Sequence, residues 1–194
     1  MLLRLAPLVT LLGLAACPGP SANECMPPAS NGSQLGGAND TLEAELVAAD
    51  QDGNVRTIHD GDHVALMGAP QGGHIILVGA RVHTDDTCQL DATGALRDTA
   101  TNRVLGLDQR ALYVQATGDG WAAPESPASL SAMPNVAVCP TSATTAAVNG
   151  GTYQLELAIQ LDGAQVADLK VSVIPTCAAS DGYCSTDCGP TGGL

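Results

Sequence analysis

Four histidines, seven cysteines and twenty carboxylates are the side chains of this 194-residue chain best suited to hold a metal or move a proton. His59 and His63 stand four apart, the interval that places two imidazoles on one helical face. The intervening Asp60-Gly61-Asp62 suits a turn instead, so the pair is not expected to share such a face. His74 and His83 fall at opposite parity on one extended stretch and would face opposite sides. Four histidines gathered at one sheet edge, with Met67 or nearby carboxylates, would form a zinc or copper set; strand-end histidines in solvent are the plainer expectation. Asp50-Gln51-Asp52-Gly53-Asn54 carries the oxygen spacing that opens a calcium-binding EF-hand loop, and Asp60 and Asp62 could share that ion. Val55 stands where that loop needs glycine, and Gly61 where it needs a bidentate glutamate, so an acidic hairpin turn explains the segment more simply. His59, His63, Asp50 and Asp52 are therefore the candidate metal ligands.

No catalytic constellation accompanies them. The chain has no Gly-x-Ser-x-Gly elbow, no His-Glu-x-x-His and no phosphate-cradling Gly-Lys-Ser/Thr. Asp85 and Asp86 are adjacent and in a strand would point apart, which makes a poor acid–base pair. The expectation is a protein that is not an enzyme and needs no cofactor, with a hydrolase as the remaining catalytic alternative.

Seven is an awkward number of cysteines for an exported chain. The first of them closes the stretch Leu14-Ala15-Ala16-Cys17, at the end of an apolar run preceded by Arg4. The run is too short for a bilayer core, which takes about 20 apolar residues, and reads as a secretory signal. Two small residues between a leucine and a cysteine resemble the lipobox of bacterial lipoproteins. The resemblance implies that residues 1–16 are removed, that Cys17 receives a diacylglyceryl thioether, and that its new amino group is acylated. A signal peptide cut elsewhere is the alternative. Pro18 rather than aspartate follows Cys17, which in that family implies the outer membrane. Six cysteines then remain, Cys25, Cys88, Cys139, Cys177, Cys184 and Cys188, and an oxidising compartment would pair them as three disulfides, with 15 connectivities open.

Composition narrows the partners. A net charge of −13 with a single lysine repels phosphate backbones, so nucleic acid is excluded as a partner. Anionic lipid surfaces are disfavoured too, leaving the acyl group as the hold on the membrane. Three tyrosines, one tryptophan and no phenylalanine leave the core to aliphatic residues and provide few stacking platforms, Trp121 apart.

The elements that would position all these residues are strands. Residues 17–40 are rich in Pro, Gly, Ser and Asn and read as a tether behind the lipid. From Thr41 the period becomes two, and Asp-Gly pairs at 52–53, 60–61, 119–120, 162–163 and 181–182 punctuate short apolar runs. Strands are expected over Val55–Ile58, Val64–Met67, His74–Val82, Cys88–Arg97, Arg103–Leu107, Ala111–Ala116 and Val136–Cys139, with loops over Ala122–Ala132 and Thr141–Gly151. The clearest unit comes last. Tyr153, Leu155, Leu157, Ile159 and Leu161 point one way, and Ala167, Leu169, Val171 and Val173 return against them.

This Gly-Thr-Tyr-x-Leu-x-Leu-x-Ile hairpin resembles the closing hairpin of immunoglobulin-like and related bacterial extracellular sandwiches, although Leu155 stands where an antibody-type domain carries its second core cysteine. The resemblance implies an all-β, Ig-like antiparallel β-sandwich over residues 41–175, with Tyr153 as a tyrosine corner. Residues 176–194 form a Cys-rich tail too short for its own core, expected to bond to the sandwich, with Cys139 as the guessed partner. Taken together, the sequence predicts a lipid-anchored envelope protein serving as a non-catalytic binding or interaction module for an envelope partner. A zinc-, copper- or calcium-binding envelope protein is the alternative.

Overall fold

The computed structural model describes residues 42–84, 88–140, 147–161 and 164–189. The Cys17 lipobox, the tether with Cys25, the Asp85-Asp86 pair and the Asp162-Gly163 turn lie outside them. Ten strands and one short helix follow in the order β1 (Ala44–Ala49), β2 (Val55–Thr57), β3 (Asp62–Gly68), β4 (His74–Val82), β5 (Cys88–Asp98), β6 (Arg103–Ala116), β7 (Ala122–Ala123), β8 (Asn135–Cys139), β9 (Tyr153–Leu161), β10 (Ala164–Cys177) and α1 (Gly182–Cys188). The protein is mostly β, as its period-two segments predict.

The pairings close on themselves. β4 pairs with β3, β3 runs parallel to β10, and β10 and β9 form the antiparallel hairpin. β9 pairs with β5, β5 with β6, β6 with the short β7, and β7 returns to β4 through Val82 and Ala122. The result is a barrel-like ring of seven strands. β1, carrying β2 at its far edge, and β8 add to β4. Because β4 pairs with four different strands, it is buried almost throughout, and only Arg81 reaches half-exposure. This is why Ile75–Val78 is apolar on both faces.

An aliphatic core fills the ring. Leu66, Ile76, Leu77, Leu90, Leu96, Leu112, Leu155, Leu157 and Ile159 are all fully buried, each contributing roughly 1.5–3 kcal/mol of burial. In β9, Tyr153, Leu155, Leu157 and Ile159 face inward while Gln154, Glu156 and Gln160 lie at intermediate depth. The Tyr153 hydroxyl donates to the Ala147 carbonyl at 2.9 Å, and burial raises its pKa.

Several boundaries differ from the sequence reading. The expected strands Arg103–Leu107 and Ala111–Ala116 are one strand, β6, because the polar residues between them have partners. Arg110 Nε donates to Asp108 Oδ2 at 2.5 Å, and Asp108 also accepts from the Asn135 backbone N–H at 2.7 Å. Burial pushes the Asp108 carboxyl up, but the Arg110 and Asn135 bonds hold it below its ordinary value. Within β6, Gly106 is required, since a Cβ there would run into the Ala137 carbonyl of β8. The expected loop Ala122–Ala132 contributes the two residues of β7 that help close the ring. β10 passes the expected boundary at Pro175 and ends at Cys177, because Pro175, Thr176 and Cys177 continue the parallel pairing with Val64, Ala65 and Leu66. Asp181-Gly182 opens a helix instead of a turn: the Asp181 side chain caps α1 by accepting from Cys184 N at 2.9 Å. At 52–53 and 60–61 the chain does turn, with Gly53 and Gly61 at positive φ.

Candidate functional site

Among the described residues two polar side chains are buried, His74 and Thr84, and His74 opens β4. His74 is 5% exposed and faces Cys139 across the β4–β8 ladder. Its Nε2 lies 3.1 Å from Asp181 Oδ2, and its Nδ1 lies 3.7 Å from Asp187 Oδ2. Both aspartates belong to the tail, 107 residues or more along the chain. Two disulfides hold that tail in place. Cys139–Cys188 ties the end of α1 to β8, and Cys177–Cys184 ties its middle to the end of β10. Further bonds seal the junction: Asn149 N–H donates to the Cys188 carbonyl at 2.9 Å, and Asn149 Oδ1 accepts from Cys177 N at 3.0 Å. Cys88 is disulfide-bonded as well, to a partner outside the described residues.

The Cys184 N–H and then the His74 ring hold the Asp181 carboxyl below the ordinary carboxylate range. As an ionised carboxylate Asp181 only accepts, so His74 Nε2 carries the proton in this contact. His74 Nδ1 is then buried without a hydrogen-bond partner.

An open hollow of about 590 Å³ lies beside His74. Gly73, His74, Arg110, Leu130, Asn135 and Pro140 are among its walls. Gly73 takes a positive φ, and a Cβ there would come within 2.8 Å of the Cys139 carbonyl oxygen, so glycine is what lets the backbone pass. Arg110 is anchored by Asp108 and donates to the Leu130 carbonyl at 2.7 Å, while Asn135 Nδ2 donates to the same carbonyl at 3.0 Å. The Asn135 Oδ1 atom is buried and unpartnered.

The residues singled out in the sequence are used differently. Asp50 Oδ1 accepts from the backbone N–H groups of Asp52 and Asn54 at 2.9 and 2.8 Å, so it organises its own turn. The Asn54 side chain and then its backbone N–H hold the Asp50 carboxyl below its ordinary value. Asp52 is exposed at the tip of that turn. His59 is also exposed, and Asp62 accepts from its N–H at 2.9 Å. His63 Nδ1 meets the Thr176 hydroxyl at 2.8 Å. Asp50 and His63 line a common hollow of about 190 Å³, which Asp52 and His59 do not reach. Among the described residues, one group brings three candidate ligand atoms within 4.8 Å of one another, and it is His74, Cys184 and Cys188. His83 sits against Glu43 at 3.4 Å and tilts on the Trp121 ring, whose centroid lies 5.3 Å away. The Arg81 guanidinium stands 4.6 Å from the Trp121 centroid, over one face of that ring.

Sequence reasoning named His74 without foreseeing that it would be the buried one. Its partners are in the tail, and no local spacing links position 74 to positions 181 and 187. The usable signal was indirect: a histidine opening the most apolar strand, and two aspartates among the tail cysteines. Comparison with family models, with curated proteins and with solved structures returned no match.

Proposed function

We propose that this chain is an envelope lipoprotein, held at the outer membrane through an acylated Cys17, whose domain is a non-catalytic binding module of immunoglobulin-like type. Three features support the domain reading: β4 lies between β1 and β8, β10 runs parallel to β3 while forming the hairpin with β9, and β9 continues to β5 and β6. These neighbours are compatible with an Ig-type Greek key, and the Tyr153–Ala147 bond supports the tyrosine-corner reading. Lipid anchoring rests on Leu14-Ala15-Ala16-Cys17.

The observation that carries the binding reading is the hollow beside His74. It combines apolar walls with an anchored guanidinium and one buried amide oxygen, Asn135 Oδ1, that has no partner. Pockets with few, fixed polar groups on an apolar floor are suited to recognition. A partner segment would seat an apolar side chain against Leu130, whose carbonyl Arg110 and the Asn135 amide hold in place. Photo-crosslinking from a benzoylphenylalanine at position 130 in intact cells tests this, with position 107, an exposed leucine outside the hollow, as comparison. The expected result is a discrete adduct from 130 that is lost on Asn135→Leu and is absent from 107. Equal labelling from both positions, or none from 130, would overturn the assignment.

A further inference from the structure

The two disulfides of the tail are side by side. The ligand atoms of Cys184, Cys188 and one ring nitrogen of His74 lie within 4.8 Å of one another, and all three residues are buried. Cys139 is joined to Cys188 and is the cross-strand neighbour of His74. His74, Cys184 and Cys188 therefore converge from β4 and one helical turn of α1, and Cys139 of β8 joins them through its bond to Cys188. We propose that reduction of the two disulfides converts this corner into a zinc site with His74, Cys139, Cys184 and Cys188 as ligands.

The chemistry balances with a dithiol reductant. Each disulfide takes up two electrons and two protons, giving four thiols and two oxidised dithiols. Zinc then displaces the protons of Cys139, Cys184 and Cys188, and the fourth thiol, Cys177, stays protonated outside the set. Tetrahedral zinc with Zn–S bonds of about 2.3 Å places sulfurs about 3.8 Å apart. The Cys139 and Cys188 sulfurs must therefore separate once their bond is broken, whereas the His74, Cys184 and Cys188 atoms already lie within 4.8 Å of one another. Two cysteines four apart on one helix share a face, which suits a pair of ligands from α1.

The surroundings of His74 are those of a metal-bound imidazole. Asp181 engages Nε2, and Nδ1 is buried with no hydrogen-bond partner, 3.7 Å from Asp187 Oδ2. A carboxylate on the distal ring nitrogen is the usual device for orienting a ligating histidine. In the oxidised protein the sulfurs are engaged with each other and cannot bind a metal ion as thiolates, so the corner has two exclusive states. Disulfides latch the tail in an oxidising compartment, and the metal would latch it after reduction.

The test uses the full-length protein in mild detergent, reduced anaerobically with a phosphine and titrated with Co²⁺ as a spectroscopic substitute for zinc. One Co²⁺ per chain is expected, with thiolate-to-cobalt charge-transfer bands and intense tetrahedral d–d bands, both abolished by one equivalent of Zn²⁺. The oxidised protein should show neither. His74→Ala and Cys184→Ser should remove the tetrahedral spectrum, whereas Cys177→Ser and Cys88→Ser should leave it intact. Asp181→Asn, a change at a half-exposed carboxylate, should weaken binding about 10–100-fold while preserving the bands. Absence of charge-transfer bands in the reduced protein would overturn the proposal. So would bands that persist in both His74→Ala and Cys184→Ser, since those would come from other thiols.

Discussion

Asp50 and Asp181 are both carboxylates that accept backbone N–H bonds and both are held below their ordinary pKa, yet they sit in opposite kinds of place. Asp50 turns the chain on itself within four residues, and the neighbouring His59 and Asp52 stay in solvent. Asp181 caps α1 and also reaches the buried His74, so one carboxylate joins the tail to the most buried strand of the sheet. The acidic loop has the spacing that suggests ligands but spends its oxygens on local turns. The His74 corner has no such spacing and collects its groups from three strands and a helix. Local spacing thus describes turns well, and buried polar sites poorly.

The largest break in this comparison is expected from the tail latch. Cys188→Ser opens a loop spanning 49 residues, for which chain entropy predicts a loss of about 4 kcal/mol. Cys184→Ser opens one spanning only seven and should cost about 2 kcal/mol. Denaturant unfolding of the two variants measures the difference; equal losses would show that the tail is not what the longer disulfide stabilises. Next, His74→Ala should cost roughly 1–3 kcal/mol, the penalty for removing a buried hydrogen-bonding partner.

A pH experiment sharpens the contrast. A carboxyl with a depressed folded pKa contributes stability above its unfolded pKa of about 3.9 and loses it as pH falls through the lower folded value. The thermal midpoint of the parent should therefore exceed that of Asp181→Asn near pH 6, and the gap should close as pH falls below about 4. A gap that stays constant to pH 3 would mean the Asp181 charge does not hold the tail. The smallest effects belong to the acidic loop: His59→Ala should shift stability by no more than about 0.5 kcal/mol, as expected for an exposed side chain.

Much of the scaffold was legible because period-two burial is a local property. Tyr153 to Ile159 face the core in the alternation that the sequence shows, and His74–Val82 is a strand over the range its apolar run predicts. The long β6 was harder, since Asp108 and Arg110 look like loop residues until each other and Asn135 are in view. The helix at Gly182–Cys188 was missed because Asp-Gly reads as a turn, and only the capping bond to Cys184 N identifies Asp181 as a helix start. The candidate site was least legible of all. His74, Cys139 and Cys188 become neighbours through the β4–β8 pairing and a disulfide, and neither is a short-range signal.

One measurement addresses both the proposed lipid anchor and the disulfide-latched tail: peptide mapping by mass spectrometry, without reduction, of protein extracted from membranes. The expected map has an acylated amino-terminal peptide beginning at Cys17 and, besides a crosslink at Cys88, one joining Cys139 to Cys188 and another joining Cys177 to Cys184. An unacylated amino terminus, or free thiols at Cys184 and Cys188, would contradict it.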